Sequence, residues 1–271
     1  MDANVAKAQL ISTRKKARKA FSLSLGEDVI HHAPLFENSE LITLVKPSTA
    51  GVDLSSWIAL NQDFLLEKIH KYGGVLFRGF GLANDNDFQN FIGALPFEPV
   101  DAANFEESTP RQKIADGIYT TTSFPCEETI ALHSDYTPSM ILANKICFFC
   151  MLPSHTGGQT PFADNRKILQ HLHPDVSDKF RKLGWTLVRN YGNGLGLSWE
   201  DTFNGQNKAE IERHCQEKQI EVSWSGKVMR TRQTRSAIMH HPITNEECWF
   251  NHISFWHVAN LPDYVSDTML S

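Results

Sequence analysis

His133, Ser134 and Asp135 are the residues whose types and spacing most clearly permit chemistry. On an extended backbone, residues i and i+2 project from the same face, so the imidazole and the carboxylate can converge on one ion. Two histidines and one carboxylate on one face of a metal leave positions open for exchangeable ligands, as non-haem Fe(II) chemistry requires. A short His/Asp pair also arises in an ordinary surface turn, so the triplet alone leaves both readings open. Thr160, 25 residues after Asp135, is a second candidate, because a hydroxyl can donate to a carboxylate that burial would otherwise leave unpaired. Its alternative is a turn-capping hydroxyl.

These residues need a scaffold, and hydrophobic periodicity outlines one. Trp57, Leu60, Phe64 and Leu65 recur at helical spacing, predicting an amphipathic helix over 57–69 that stops at Gly73-Gly74. Val75–Phe77 then reads as a short buried strand, and a further helix starts near Asp85. Residues 129–132 are expected to lead as a strand into His133, and residues 146–152 to form another. Short helices are predicted over 165–172 and over 174–183, the second with proline at a permitted first-turn position. Strands are expected at 185–188, 220–224 and 237–240. The stretch from Gly192 to Gly205, rich in glycine and asparagine and carrying Trp199 and Phe203, reads as a long loop, either a lid over substrate or a structural insert. The fold class this predicts is mainly β with helical additions, an α+β arrangement of closed or double-sheet type. One domain over 25–271 follows a basic leader, residues 1–24, which lacks the apolar core of a secretory signal.

Cys147 and Cys150 form a CxxC inside the apolar run Ile146 to Met151. Three-residue spacing on a strand sends the two thiols to opposite faces, so they read as core cysteines rather than metal ligands. The five cysteines are odd in number and scattered, as expected of free thiols in a reducing cytoplasm. A formal charge of −5 gives no global basic field, and no stretch has the length of a membrane span, so neither nucleic acid nor membrane is the expected partner.

Around the triplet lie Leu76-Phe77-Arg78-Gly79-Phe80, Pro153, Gly157-Gly158-Gln159-Thr160-Pro161, Ala163-Asp164, Val188-Arg189-Asn190-Tyr191-Gly192, Gly194-Leu195-Gly196 with Trp199, His241-Pro242 and Trp249-Phe250-Asn251. In this order they resemble the TauD/TfdA family of Fe(II)- and 2-oxoglutarate-dependent dioxygenases, in its clavaminate synthase-like branch, over nearly the whole chain. The resemblance implies a double-stranded β-helix, or jelly roll. It implies Fe(II) and 2-oxoglutarate as cofactor and co-substrate, and a small-molecule or carrier-bound amino acid or peptide-like substrate. His133 and Asp135 match two iron ligands, and Thr160 matches the threonine that grips a carboxylate of 2-oxoglutarate. Trp199 and Asn251 fall at substrate-facing candidates. Retention of the Asp135 carboxylate, which halogenating relatives replace by a small residue, points to hydroxylation or desaturation.

Relatives complete the site with a distal histidine and an arginine downstream of the segment matching Trp249-Phe250-Asn251. The fold is therefore expected to be incomplete on its C-terminal side, with the third ligand missing and His252 or His257 as substitutes. Arg230, Arg232 and Arg235 are the candidates for the arginine. Arg78, beside an apolar strand, is expected to be buried in an ion pair, with a substrate contact as the alternative. Two other readings stand beside the enzyme: an inactive homologue acting as a binding or scaffold protein, and a hydrolytic zinc enzyme, for which no general base is evident. Oligomeric state is not legible.

Overall fold

The computed structural model describes residues 26–100, 111–122, 130–192, 198–203, 205–261 and 265–267. The basic leader lies outside these. The chain divides into two compact units, Met1–Phe97 and Glu98–Ser271.

In the first unit, β1 (Ile30–Phe36) pairs antiparallel with β2 (Ser39–Pro47). β2 pairs in parallel with β3 (Val75–Phe77), giving the order β1-β2-β3. A parallel pair needs a crossover, supplied by α1 (Leu54–Leu60) and α2 (Gln62–Tyr72). The single helix expected over 57–69 is thus two. Asn61 breaks it: its side-chain amide donates to the Trp57 carbonyl at 2.7 Å while its backbone N–H turns to Ile58. That side chain takes over the acceptor a continuous helix would satisfy with the Asn61 backbone. α2 stops where expected, at Gly73, whose φ of 71° closes the helix in a conformation that favours glycine. α3 (Asp85–Ala94) is capped by Asn84, which accepts from the Asp87 N–H at 3.1 Å. Trp57, Ile58 and Val45 are fully buried at the centre of this unit, with Phe64, Leu65 and Phe91 around them. Arg78 departs from expectation, being exposed rather than buried in an ion pair. The strand before it ends at Phe77, so the chain has left the core when it reaches the arginine.

The second unit opens with the small hairpin β4 (Lys113–Ala115) and β5 (Ile118–Tyr119). After a coil come α4 (Asn165–His171) and α5 (Pro174–Leu183), within a residue of their expected bounds. The main sheet is antiparallel in the order β6-β8-β7, built from β6 (Trp185–Tyr191), β7 (Glu221–Ser225) and β8 (Val228–Arg235). α6 (Trp199–Thr202) and α7 (Lys208–Glu217) lie between β6 and β7 in sequence. α7 is held at its start by a reciprocal capping box of Asn207 and Glu210. Ile211, Cys215, Met229 and Tyr191 form the core here, with Trp199, Phe203 and Trp224 packed against it. β9 (Ile238–His240) pairs with β10 (Glu247–Trp249), and the one-turn helix α8 (Ile253–Trp256) follows.

The architecture is therefore mixed, with helices and four small sheets, and no closed barrel is present among the described residues. The expected strand over 146–152 is not formed. That stretch is coil, and Cys147 and Cys150 are exposed rather than buried. An apolar run becomes a strand only where a partner edge accepts its hydrogen bonds, and this run has no partner strand among the described residues. Ile146, Phe148, Met151 and Leu152 consequently face outward, Leu152 at 89% exposure. Likewise, residues 130–132 approach His133 as unpaired coil, residue 129 lying outside the description. In the predicted Gly192–Gly205 loop, residues 193–197 and 204 lie outside the description, but Trp199–Thr202 form a helical turn. No helix among the described residues is long and apolar enough to cross a membrane.

Candidate metal centre

Ser134 anchors the triplet. Its Oγ accepts from Asn165 Nδ2 at 3.1 Å, at the first residue of α4. α4 is fixed in turn by Asp164, which caps it and pairs with Arg166 at 2.9 Å, and by Glu246, 3.0 Å from the same guanidinium. With Ser134 held by α4, His133 and Asp135 converge: Nε2 of His133 lies 3.2 Å from Oδ1 of Asp135. Their side chains are 23% and 31% exposed.

The other ring nitrogen decides what that contact is. His133 Nδ1 lies 2.7 Å from the Ala131 carbonyl oxygen. A carbonyl can only accept, so Nδ1 carries the hydrogen, and a neutral ring would then aim its Nε2 lone pair at a carboxylate oxygen. Two facing lone pairs need a cation between them, either a proton or a metal. Without a metal, the proton is the cation available to fill that place. The hydrogen bond with Asp135 holds the His133 imidazole above its ordinary range, against partial desolvation. The same bond draws Asp135 below the usual carboxylate range, with Arg111 adding to the effect. A backbone carbonyl that fixes the tautomer and leaves Nε2 directed beside a carboxylate is the support a metal-binding histidine ordinarily has. The pair therefore fits a divalent metal.

Around it stand residues from distant parts of the chain. His252 stacks on His133, with ring centroids 4.8 Å apart and 16° between planes, and Phe255 lies 4.9 Å from the His133 ring. Burial, then the charge of His133, pushes the His252 pKa down to about 4, so its ring is neutral near pH 7. Thr137, buried in the turn after Asp135, places Oγ1 3.4 Å from His252 Nδ1. Tyr136 in the same turn has φ of 59°, uncommon for a residue with a Cβ. Arg111 brings Nη2 to 4.0 Å from Asp135 Oδ2 and its Cζ to 5.8 Å from the centre of the Tyr136 ring.

The low pKa of His252 has a definite consequence for stability. Its folded pKa lies below the ordinary 6.5, so between about pH 6.5 and 4 the unfolded chain binds a proton that the folded chain does not. Stability is then fully present above that window and falls as pH drops through it. The metal-free protein is expected to lose up to about 3 kcal/mol from this group. In the His252→Phe variant the loss should be shallower, read from urea midpoints at pH 7.5 and pH 5; equal slopes would contradict the assignment.

The remaining expected residues are placed as follows. Thr160 is exposed on the coil before α4. His257 is exposed and caps the short 3-10 turn Val258–Asn260, Nδ1 accepting from the Ala259 N–H at 3.1 Å. Asn251 is buried, donating to the Ala237 carbonyl at 3.1 Å and accepting from the Ile253 N–H at 3.2 Å. It thereby fixes the backbone on either side of His252. Trp199 packs on the second core, edge-on to Trp224, and its indole N–H donates to the Lys227 carbonyl. Arg232 pairs with Glu221, and Arg235 donates to Pro138, Lys218 and Gln233. Among the described residues, no three His, Cys, Asp or Glu side chains gather into one metal-holding set. Sequence reasoning overlooked Arg111 and Thr137, which join the pair only through the tertiary fold and have no spacing that marks them.

The profile of the family described as Taurine catabolism dioxygenase TauD, TfdA family, matches residues 39–265. The chain belongs to the TauD/TfdA family. The Dapdiamide synthesis protein DdaC of Enterobacter agglomerans is 33% identical over 241 residues, covering 88% of this chain and 71% of that protein. The Clavaminate synthase-like protein of Arabidopsis thaliana is 22% identical over 248 residues, covering 84% and 74%. Both agree with the clavaminate synthase-like branch. As a TauD/TfdA protein the chain is an Fe(II)/2-oxoglutarate-type oxygenase, and the family implies a jelly-roll β fold.

Proposed function

We propose that this TauD/TfdA oxygenase binds Fe(II) through His133 Nε2 and Asp135, binds 2-oxoglutarate with the help of Thr160, and hydroxylates or desaturates an amino acid or peptide-like intermediate of natural-product synthesis. The observation that carries the reading is the His133–Asp135 contact. Nδ1 is committed to a backbone carbonyl and Nε2 faces a carboxylate at 3.2 Å, so a cation belongs between them. The bound iron with its 2-oxoglutarate supplies the oxidising power. The protein's own residues hold the pair at one point, keep His133 in the tautomer that frees Nε2, and cover its ring with His252 and Phe255. The substrate class is supported by the name of the dapdiamide-synthesis relative, and the family match across both compact units supports one catalytic domain over 25–271.

The test is succinate release by the purified chain with Fe(II), ascorbate and 2-oxoglutarate, over a panel of free, peptide-linked and carrier-bound amino acids. A substrate that stimulates succinate and gains one oxygen, or loses two hydrogens, fits the reading. Metal binding without any 2-oxoglutarate consumption across the panel would leave a binding protein instead.

A further inference from the structure

We propose that His252 is a positioning residue of this centre rather than one of its ligands: its ring is the flat plate that sets the tilt of His133, and the segment Asn251–Phe255 is the strap that carries it. This rests on the metal-site reading above. The two imidazoles lie almost parallel, 16° apart, with their centroids separated by 4.8 Å. A ring nitrogen directs its lone pair in the plane of its own ring. An ion held at His133 Nε2 therefore lies in the His133 plane. A ring stacked on the face of His133 points its nitrogens along a parallel plane instead of at that ion. In this pose His252 supports the ligand and does not become one.

What the plate adds follows from what the other contacts leave free. The Ala131 carbonyl, 2.7 Å from Nδ1, fixes which nitrogen faces outward. A single hydrogen bond leaves the ring able to rock about it, and rocking would break the 3.2 Å approach of Nε2 to Asp135. His252 on the face of the ring, and Phe255 at 4.9 Å and 49°, close the room for that motion. Phe255 also meets His252 edge-on at 5.1 Å, so the three rings brace one another. The strap has its own anchor. Asn251 is buried, its side-chain amide donating to the Ala237 carbonyl at 3.1 Å and its oxygen accepting from the Ile253 N–H at 3.2 Å. Thr137 Oγ1, 3.4 Å from His252 Nδ1, ties the strap to the turn that follows Asp135. The strap thus meets both halves of the pair, the ring by stacking and the turn through Thr137, and holds them in place before an ion arrives.

The experiment titrates the purified chain with Mn(II) and records its pulsed electron paramagnetic resonance, which counts the imidazole nitrogens bound to the ion. Wild type should show one imidazole. His252→Phe keeps a flat ring, so it should keep that signal and bind Mn(II) within about twofold of wild type. His252→Ala removes the plate and should bind roughly two- to tenfold more weakly, the worth of one aromatic contact expressed as affinity. Its Mn(II) zero-field splitting should broaden as the His133 ring takes up a spread of tilts. A merely structural role would lower the stability of His252→Ala and leave the affinity and spectrum of its folded form unchanged; that result would overturn the proposal. Two bound imidazoles in wild type, one of them lost in His252→Phe, would overturn it by making His252 a ligand. If His252→Ala does not fold, the wild-type imidazole count and the affinity of His252→Phe decide. An imidazole signal that persists in His133→Ala would instead remove the metal-site reading itself.

Discussion

Substituting alanine for His133 is expected to weaken Mn(II) or Fe(II) binding by at least about a hundredfold, and to abolish measurable succinate release. Even residues that only orient a metal ligand are worth about ten- to a hundredfold in affinity, and on the proposed reading this change removes a ligand outright. Asp135→Asn preserves the shape of the side chain and isolates the charge. The amide cannot neutralise the ion; it also loosens the His133 proton, which favours metal, but the lost charge is the larger effect and this variant should fall nearly as far. Ser134→Ala is the informative neighbour. Its hydroxyl accepts from Asn165 and only anchors the triplet, so its loss should cost about 1 kcal/mol of stability and much less metal affinity than either change to the pair. Metal titrations on the three purified variants check this ordering. A His133→Ala chain that binds metal like wild type would show that the ion sits elsewhere.

How much of this could be read in advance follows from the range of each interaction. His133 and Asp135 were legible because their relation is local: two residues apart, they need only an extended backbone to meet. The helices at 85–94 and 174–183 were legible for the same reason, each carrying its cap and its apolar face within its own sequence. β8 was not, although it is the central strand of its sheet. It alternates correctly, but two of its three buried positions are Thr231 and Gln233, so a reading keyed to apolar residues passes over it. The error at 146–152 is the converse. Those residues have the composition of a buried strand, yet pairing is a property of the neighbour as much as of the segment, and they are exposed coil. Asn61 shows how a single side-chain hydrogen bond overrides helical periodicity. Around the centre, Arg111 reaches the pair across 24 residues with no pattern of spacing to mark it, whereas His252, named in advance as a substitute ligand, reaches it from more than 100 residues away as a ring stacked on His133.

Arg235→Met is expected to lower unfolding stability by roughly 3 kcal/mol, a large loss for a side chain outside the His133–Asp135 pair. From the last position of β8, its guanidinium donates to five acceptors. Nε reaches the Pro138 carbonyl at 2.8 Å. Nη2 reaches the Lys218 carbonyl at 2.8 Å and Gln233 Oε1 at 2.7 Å, and Nη1 the Thr234 and Gln219 carbonyls at 3.2 and 3.5 Å. Lys218 closes the C-terminal end of α7, where unsatisfied carbonyls carry partial negative charge. Pro138 belongs to the turn that follows Asp135, and the Ser139 N–H closes that turn on the Tyr136 carbonyl. One cation therefore joins a helix end, a strand end and the turn beside the His133–Asp135 pair. A thioether fills much of the same volume but donates nothing, so the partly buried acceptors lose their partners together. Arg235→Lys should recover only part of the loss, since an ammonium cannot spread its donors as a planar guanidinium does. Arg232, two residues back, is the control. Its contact with Glu221 lies between side chains that are 51% and 73% exposed, and Arg232→Met should shift stability by no more than about 1 kcal/mol. Because the turn positions Asp135, Arg235→Met should also weaken Mn(II) binding under conditions where the variant is fully folded. Urea unfolding and metal titration of the three variants test both parts. If Arg235→Met proved no less stable than Arg232→Met, the role of Arg235 as the clamp on this turn would be wrong.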